Sequence, residues 1–200
     1  MAATAREEEV DMSYDYGTRE WEVSFAALMA DLLEVERAPY IIGTPAWIAT
    51  YESLIKNDEE YRKLAQGWEG TVVIHITAEP SVGLDKDMYL LIDLWHGDCR
   101  SVRLVPDSVG KAGDYVLTAS YDRWKQVMTK ELDVVKALMQ GKIKLKGHLP
   151  TIVRYNKAAV RLVDLVAGMP TIFLDEMTPE EIEAFKPWVD FLREEYRLGD

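Results

Sequence analysis

The sequence predicts an α+β fold: a five-stranded, mostly antiparallel sheet with helices packed on one face, plus extra N- and C-terminal helices. Three observations predict it. Between Gly67 and Ser120 the chain holds four runs rich in β-branched residues with no long helical pattern among them. On either side, apolar residues recur at spacings of three and four. A later stretch, "GKIKLKG", returns to an alternation of period two and supplies a fifth strand.

The elements follow in order. Residues 1–18 are polar, acidic and poor in packing residues, a composition of disorder. Trp21, Phe25, Leu28, Leu32 and Val35 then mark an amphipathic helix over 19–36. Pro39, Gly43 and Pro45 break it, and a second helix runs from Ala46 to about Gln66, with an interruption expected at Asn57 and Asp58.

"TVVIHITA", "MYLLIDLW", "CRSVRLVP" and "DYVLTAS" read as consecutive strands of a meander, with "HGD" as a hairpin turn. Val72, Ile74 and Ile76, then Leu90, Ile92 and Leu94, then Val102 and Leu104 fall on one side of their strands, the expected dry face. Ser120 is a candidate cap for a short helix to Met128, and Thr129 for the next, which Gly141 ends.

After the lysine strand, Pro150 suits the first turn of a long helix reaching Gly168. "TPEE" at 178–181 fits a capping box for a last helix, in which Pro187 predicts a kink or a boundary.

Composition narrows the function. The chain of 200 residues has 35 acidic and 23 basic side chains, a net charge of -12, which argues against a general nucleic-acid binder. No apolar run approaches the ~20 residues of a membrane helix, and the N-terminus lacks the apolar core of a signal peptide. A cytoplasmic location is the expectation. The single Cys99 excludes an internal disulfide framework and a multi-cysteine zinc site.

Charge is segregated along the chain. Lys136, Lys142, Lys144, Lys146, Arg154, Lys157 and Arg161 form a segment without one acid, whereas residues 1–36 hold ten acids against two bases and residues 175–200 nine against three. The lysines of "GKIKLKG" fit a solvated strand face, a guarded sheet edge, a dock for an acidic arm, or a contact for an anionic lipid head group or membrane surface. A phosphate loop would need a glycine-rich turn leading into Lys-Ser or Lys-Thr at a helix start, which is absent here.

Catalytic and metal signals are weak. His75, His96 and His148 lie on or beside separate strands, with no second histidine at ligand spacing. "DLWHGDC" places Asp93, His96, Asp98 and Cys99 close together, but across a tight turn where small polar residues are expected anyway. No catalytic residue, metal or cofactor is assigned.

The segment from Gly113 to Val166, above all "ALMQGKIKLKG" between an apolar helix and a helix that packs on the sheet, resembles the sterol carrier protein 2 family and its SCP2-like lipid-binding domain. Trp124 in a short helix after a strand also fits. A looser likeness extends back to Trp47. On this reading residues 45–170 form the lipid-binding domain, 19–44 an N-terminal helix and linker, and 171–200 an acidic helical extension.

The resemblance implies a hydrophobic tunnel between sheet and helices for an acyl chain, a sterol-like molecule or another elongated lipid, bound and transferred without chemistry. Leu90, Ile92, Leu94, Leu104 and Leu117 from the strands can face it. Trp124, Met128, Leu138 and Met139 can do so from the short helices, and Val163 and Val166 from the long one. Ile143 and Leu145 should meet the interior opposite the lysines.

The same residues could instead fill a solid core. The protein would then be a structural or accessory module, with the aromatic terminal helices making a homodimer or docking a partner enzyme. An enzyme acting on a hydrophobic substrate is the third reading. Membrane contact is expected to be transient at most.

Overall fold

A computed structural model describes residues 14–35 and 37–196. The part of the expected disordered segment at 1–13 lies outside them. Helix α1 (Arg19–Val35) leads through strand β1 (Tyr40–Ile41) into α2 (Pro45–Asn57) and α3 (Glu59–Leu64). Asp58 breaks the chain between α2 and α3 at the expected place, because its carboxylate accepts from the Tyr61 N–H and so caps a new helix.

Strands β2 (Glu69–Thr77), β3 (Met88–Trp95) and β4 (Asp98–Leu104) form the antiparallel meander. The short helix α4 (Asp107–Ala112) then crosses the back of the sheet. Strand β5 (Tyr115–Ser120) therefore lies parallel to β2, not antiparallel beside β4. The meander expected for all four strands stops after three.

Helices α5 (Tyr121–Met128) and α6 (Val134–Met139) precede strand β6 (Lys144–Lys146). The cap of α6 is Asp133, whose carboxylate accepts from the Lys136 N–H at 2.8 Å, rather than Thr129. The expected long helix is two pieces, α7 (Leu149–Arg154) and α8 (Asn156–Ala167), hinged at Tyr155. Strand β7 (Thr171–Ile172) pairs in parallel with β1, and α9 (Pro179–Tyr196) ends the described chain.

The sheet order is β4-β3-β2-β5-β6. The lysine strand is thus an edge, three residues long, with Lys144 and Lys146 exposed on either side of Leu145. Short length and outward charge both discourage pairing with another chain. At the opposite edge the Glu52 carboxylate of α2 accepts from the Val102 N–H at 2.7 Å and also pairs with Arg103.

Among the described residues, Lys142 and Lys144 have no acidic partner. Lys146 donates to the Lys111 carbonyl, and Arg161 pairs with Asp58 and Glu60 rather than with a terminal arm. The expected docking of an acidic arm on this segment is not seen there.

The expected dry face is the one that packs under the helices, forming the main core. The other face is not wholly wet. Val73, Tyr89, Leu91, Val105 and Val116 make a second, smaller core beneath α4. Gly110 permits it, since a Cβ there would lie 2.4 Å from the Tyr89 ring.

The terminal helices clasp each other. Trp21 stacks on Phe25, its indole N–H donates to the Tyr196 carbonyl at 3.2 Å, and Ser24 Oγ meets the Tyr196 hydroxyl at 3.0 Å. The Tyr14 N–H donates to the Glu195 carbonyl, so residues 14–18 are anchored to this clasp.

The capping box at Thr178 and Glu181 forms, with bonds in both directions. Helix α9 nevertheless continues through Pro187. Pro187 and Glu183 are exposed, so the carbonyl that proline leaves without a donor can be solvated.

Candidate ligand-binding cavity

The three inner strands present alternate residues to the helices, and α5, α6 and α8 present theirs at helical spacing. The two surfaces do not close on each other. A cavity of about 140 Å³ lies between them. From the sheet it is lined by Leu90, Ile92 and Leu94 of β3, Leu104 of β4 and Leu117 of β5. Trp124 and Met128 of α5, Leu138 of α6, and Val163 and Val166 of α8 line it from the helices.

Three of the expected residues are elsewhere. Met139 ends the short α6 on its outer side and is 67% exposed. Ile143 is buried in the core but precedes β6, and Leu145 packs at the core margin; neither reaches the cavity wall.

The wall also contains residues that sequence reading did not assign to it. Val72, Ile74 and Ile76 of β2 join from the middle of the sheet. Tyr51, Tyr61 and Trp47 come from α2 and α3, Trp68 from the entry to β2, and Tyr155 from the hinge between α7 and α8. Trp47, Tyr51 and Tyr61 are legible as one apolar helix face, but nothing in their spacing says that this helix lies over the sheet; Trp68 and Tyr155 sit outside the helices and carry no such signal.

The wall is greasy although it is rich in tyrosine and tryptophan, because the protein itself bonds the polar atoms of all three tryptophans and of Tyr51. Trp124 Nε1 donates to the His75 carbonyl at 3.0 Å, Trp47 Nε1 to Thr171 Oγ1 at 3.0 Å and Trp68 Nε1 to the Gly70 carbonyl at 2.9 Å. The Tyr51 hydroxyl donates to the Leu162 carbonyl at 3.2 Å. Burial pushes the Tyr51 and Tyr61 hydroxyls well above the usual tyrosine range, so both stay neutral. What faces the cavity is carbon.

The candidate catalytic groups are not brought together. Cys99 is buried in the core, and burial first, then the nearby Glu52 carboxylate, pushes its thiol up to about 12. A thiol of that kind is a poor nucleophile. His96 lies on the surface, with Nδ1 on the Gln66 carbonyl and Nε2 3.0 Å from Glu69. His75 is on the back of the sheet, stacked on Tyr89 between Thr118 and Asp87. Among the described residues no three His, Cys, Asp or Glu side chains gather as metal ligands, and no helix is long and apolar enough to cross a membrane.

The comparisons match this geometry. The model of the SCP-2 sterol transfer family matches residues 51–159, more than half of the chain. The chain belongs to this family. Its sheet and covering helices are similar to those in a crystal structure of sterol carrier protein 2, at 33% identity and a TM-score of 0.57, over 62% of this chain and 95% of that one. A conserved hypothetical protein of Thermus thermophilus, whose description suggests a sterol carrier protein, is 31% identical with a TM-score of 0.60, over 68% of this chain and 94% of that one. A search of curated proteins finds no match. The SCP-2 match begins after α1 and ends before β7 and α9, so both terminal helices lie outside the matched span.

Proposed function

We propose that this protein binds an elongated hydrophobic ligand, a fatty acyl chain or a sterol-like molecule, between sheet and helices and carries it without altering it. The observation that supports this reading is the cavity whose wall offers carbon and whose neighbouring indole groups are all bonded elsewhere. Membership of the SCP-2 family supports it independently.

Size constrains how the ligand enters. A cavity of ~150 Å³ takes a molecule of benzene's size. Six carbons leaving water contribute about 5 kcal/mol at 0.8 kcal/mol each. Association costs roughly 4–15 kcal/mol in lost freedom, so a ligand that merely filled the resting cavity would scarcely bind. Useful affinity needs a longer ligand and a wall that yields. Met88 and Met128, both in the wall, have the unbranched side chains that can yield.

Native mass spectrometry of the purified protein, followed by lipid extraction, tests the proposal. One hydrophobic molecule per chain is expected. Absence of any copurifying lipid, together with no binding of acyl or sterol probes, would refute it.

A further inference from the structure

A second chamber, of about 80 Å³, adjoins the first. Helix α9 forms one side of it through Ile182, Phe185, Val189 and Leu192. Ile42, Gly43, Met88 and Leu104 belong to the walls of both chambers. The partition is therefore a single layer of side chains, and Met88 is its movable part. The end of the Met88 side chain rests against Gly43, where a Cβ would lie 3.6 Å from Met88 Cε. Gly43 has a φ of 78°, so a side chain at that position is disfavoured and the passage is lined there by bare backbone. Rotation of the Met88 thioether joins the two spaces.

The chambers differ in chemistry. The first is apolar. The second has Thr44, Asp87, Lys186 and Arg193 in its wall. Three of these are engaged within the protein. Thr44 caps α2, Asp87 accepts from the Ala78 N–H and meets His75 Nε2 at 2.8 Å, and Lys186 pairs with Glu183. Arg193 is half-buried, and among the described residues it has no ion-pair or hydrogen-bond partner. An unengaged guanidinium is unexpected in a protein of net charge -12, and it is the side chain best suited to bidentate bonding of a carboxylate or phosphate.

We infer that the second chamber takes the anionic head of a single-chain amphiphile, a carboxylate or phosphate held by Arg193, while its tail passes Met88 into the first cavity. This rests on the proposed lipid-carrying function and adds to it a head-group site supplied by α9, which lies outside the span of the SCP-2 match. The same helix covers the ligand and reads its charge.

The test is calorimetric titration of the full chain with palmitate, hexadecyl phosphate, 1-hexadecanol and 1-octanol, alongside the variants Arg193→Gln, Arg193→Lys and Val189→Phe, with circular dichroism as the check on folding. The natural chain should bind either anionic amphiphile at least tenfold more tightly than hexadecanol. Arg193→Gln should weaken the anion by about tenfold or more and leave hexadecanol unchanged, since a charge-assisted bond is about twice as strong as a neutral one; Arg193→Lys should retain part of the advantage. Val189→Phe fills the second chamber and should weaken the three sixteen-carbon ligands but not octanol. If the natural chain binds hexadecanol and palmitate while Arg193→Gln shifts both equally or neither, or Val189→Phe leaves the long ligands unaffected, the head-group site is wrong although the carrier reading stands. If the natural chain binds none of the four, the carrier reading fails and this inference with it.

Discussion

Filling the main cavity should stabilise the protein while weakening its ligand. Ala158 lies on α8 in the cavity wall and is buried. Ala158→Leu adds three carbons to a space that takes about six. Burying them contributes about 2.4 kcal/mol at 0.8 kcal/mol each, offset by about 0.5–1 kcal/mol of side-chain entropy. The net expectation is a gain of about 1.5 kcal/mol, which raises the urea midpoint by roughly 0.5–1.5 M at an ordinary slope of 1–3 kcal/mol per M.

A ligand that used the same space loses about 2.4 kcal/mol, or roughly fiftyfold in Kd. Urea unfolding followed by tryptophan fluorescence gives the first quantity, and displacement of a fluorescent acyl probe the second. Were the space already filled, leucine would overpack it and cost about 1–3 kcal/mol. Destabilisation with unchanged probe affinity would therefore refute the reasoning.

Three further outcomes are expected. Burial opposes ionisation of Glu52, but hydrogen bonds from Lys56 and the Val102 N–H, with the charge of Arg103, outweigh it and hold the carboxyl below the usual range. Its contribution to stability is thus present above the unfolded value of about 4.3 and is lost as pH falls through the lower folded value. Glu52→Gln should flatten that part of the urea-midpoint profile, and Glu52→Ala, which leaves Arg103 only the more distant Glu22 at 3.9 Å and a strand-edge N–H unpaired, should cost about 3–5 kcal/mol. Cys99 should resist a thiol reagent at pH 8 in the native protein and react at once in denaturant; fast native labelling would contradict its buried, protonated state. Gly110→Ala forces a methyl into the Tyr89 ring beneath α4 and should cost about 1–3 kcal/mol in urea unfolding, where no loss would mean that α4 sits loosely.

Period two made the strand half of the site legible. Leu90, Ile92, Leu94, Leu104 and Leu117 all line the cavity because a residue's face in a strand follows from its neighbours alone. Val163 and Val166 were readable from helical spacing for the same reason. Local pattern failed where placement depends on distant partners. The two-residue pairing of Tyr40–Ile41 with Thr171–Ile172 spans too little chain to show a period. The crossing of β5 to the far side of β2 turns on α4, whose six residues are too few to show a helical period. Met139 belongs to the apolar set of its helix, but α6 has fewer than two turns, too few to hold that face against the core to its last residue.

Where the ligand lies is the direct test of a carrier cavity. Methyl-labelled protein titrated with palmitate should show nuclear Overhauser contacts from the chain methylenes to the methyls of Ile92, Leu117 and Val163, which meet across the cavity from β3, β5 and α8. Saturable binding with contacts confined to surface methyls such as Val23 and Leu149, or no binding at all, would contradict a ligand site between sheet and helices.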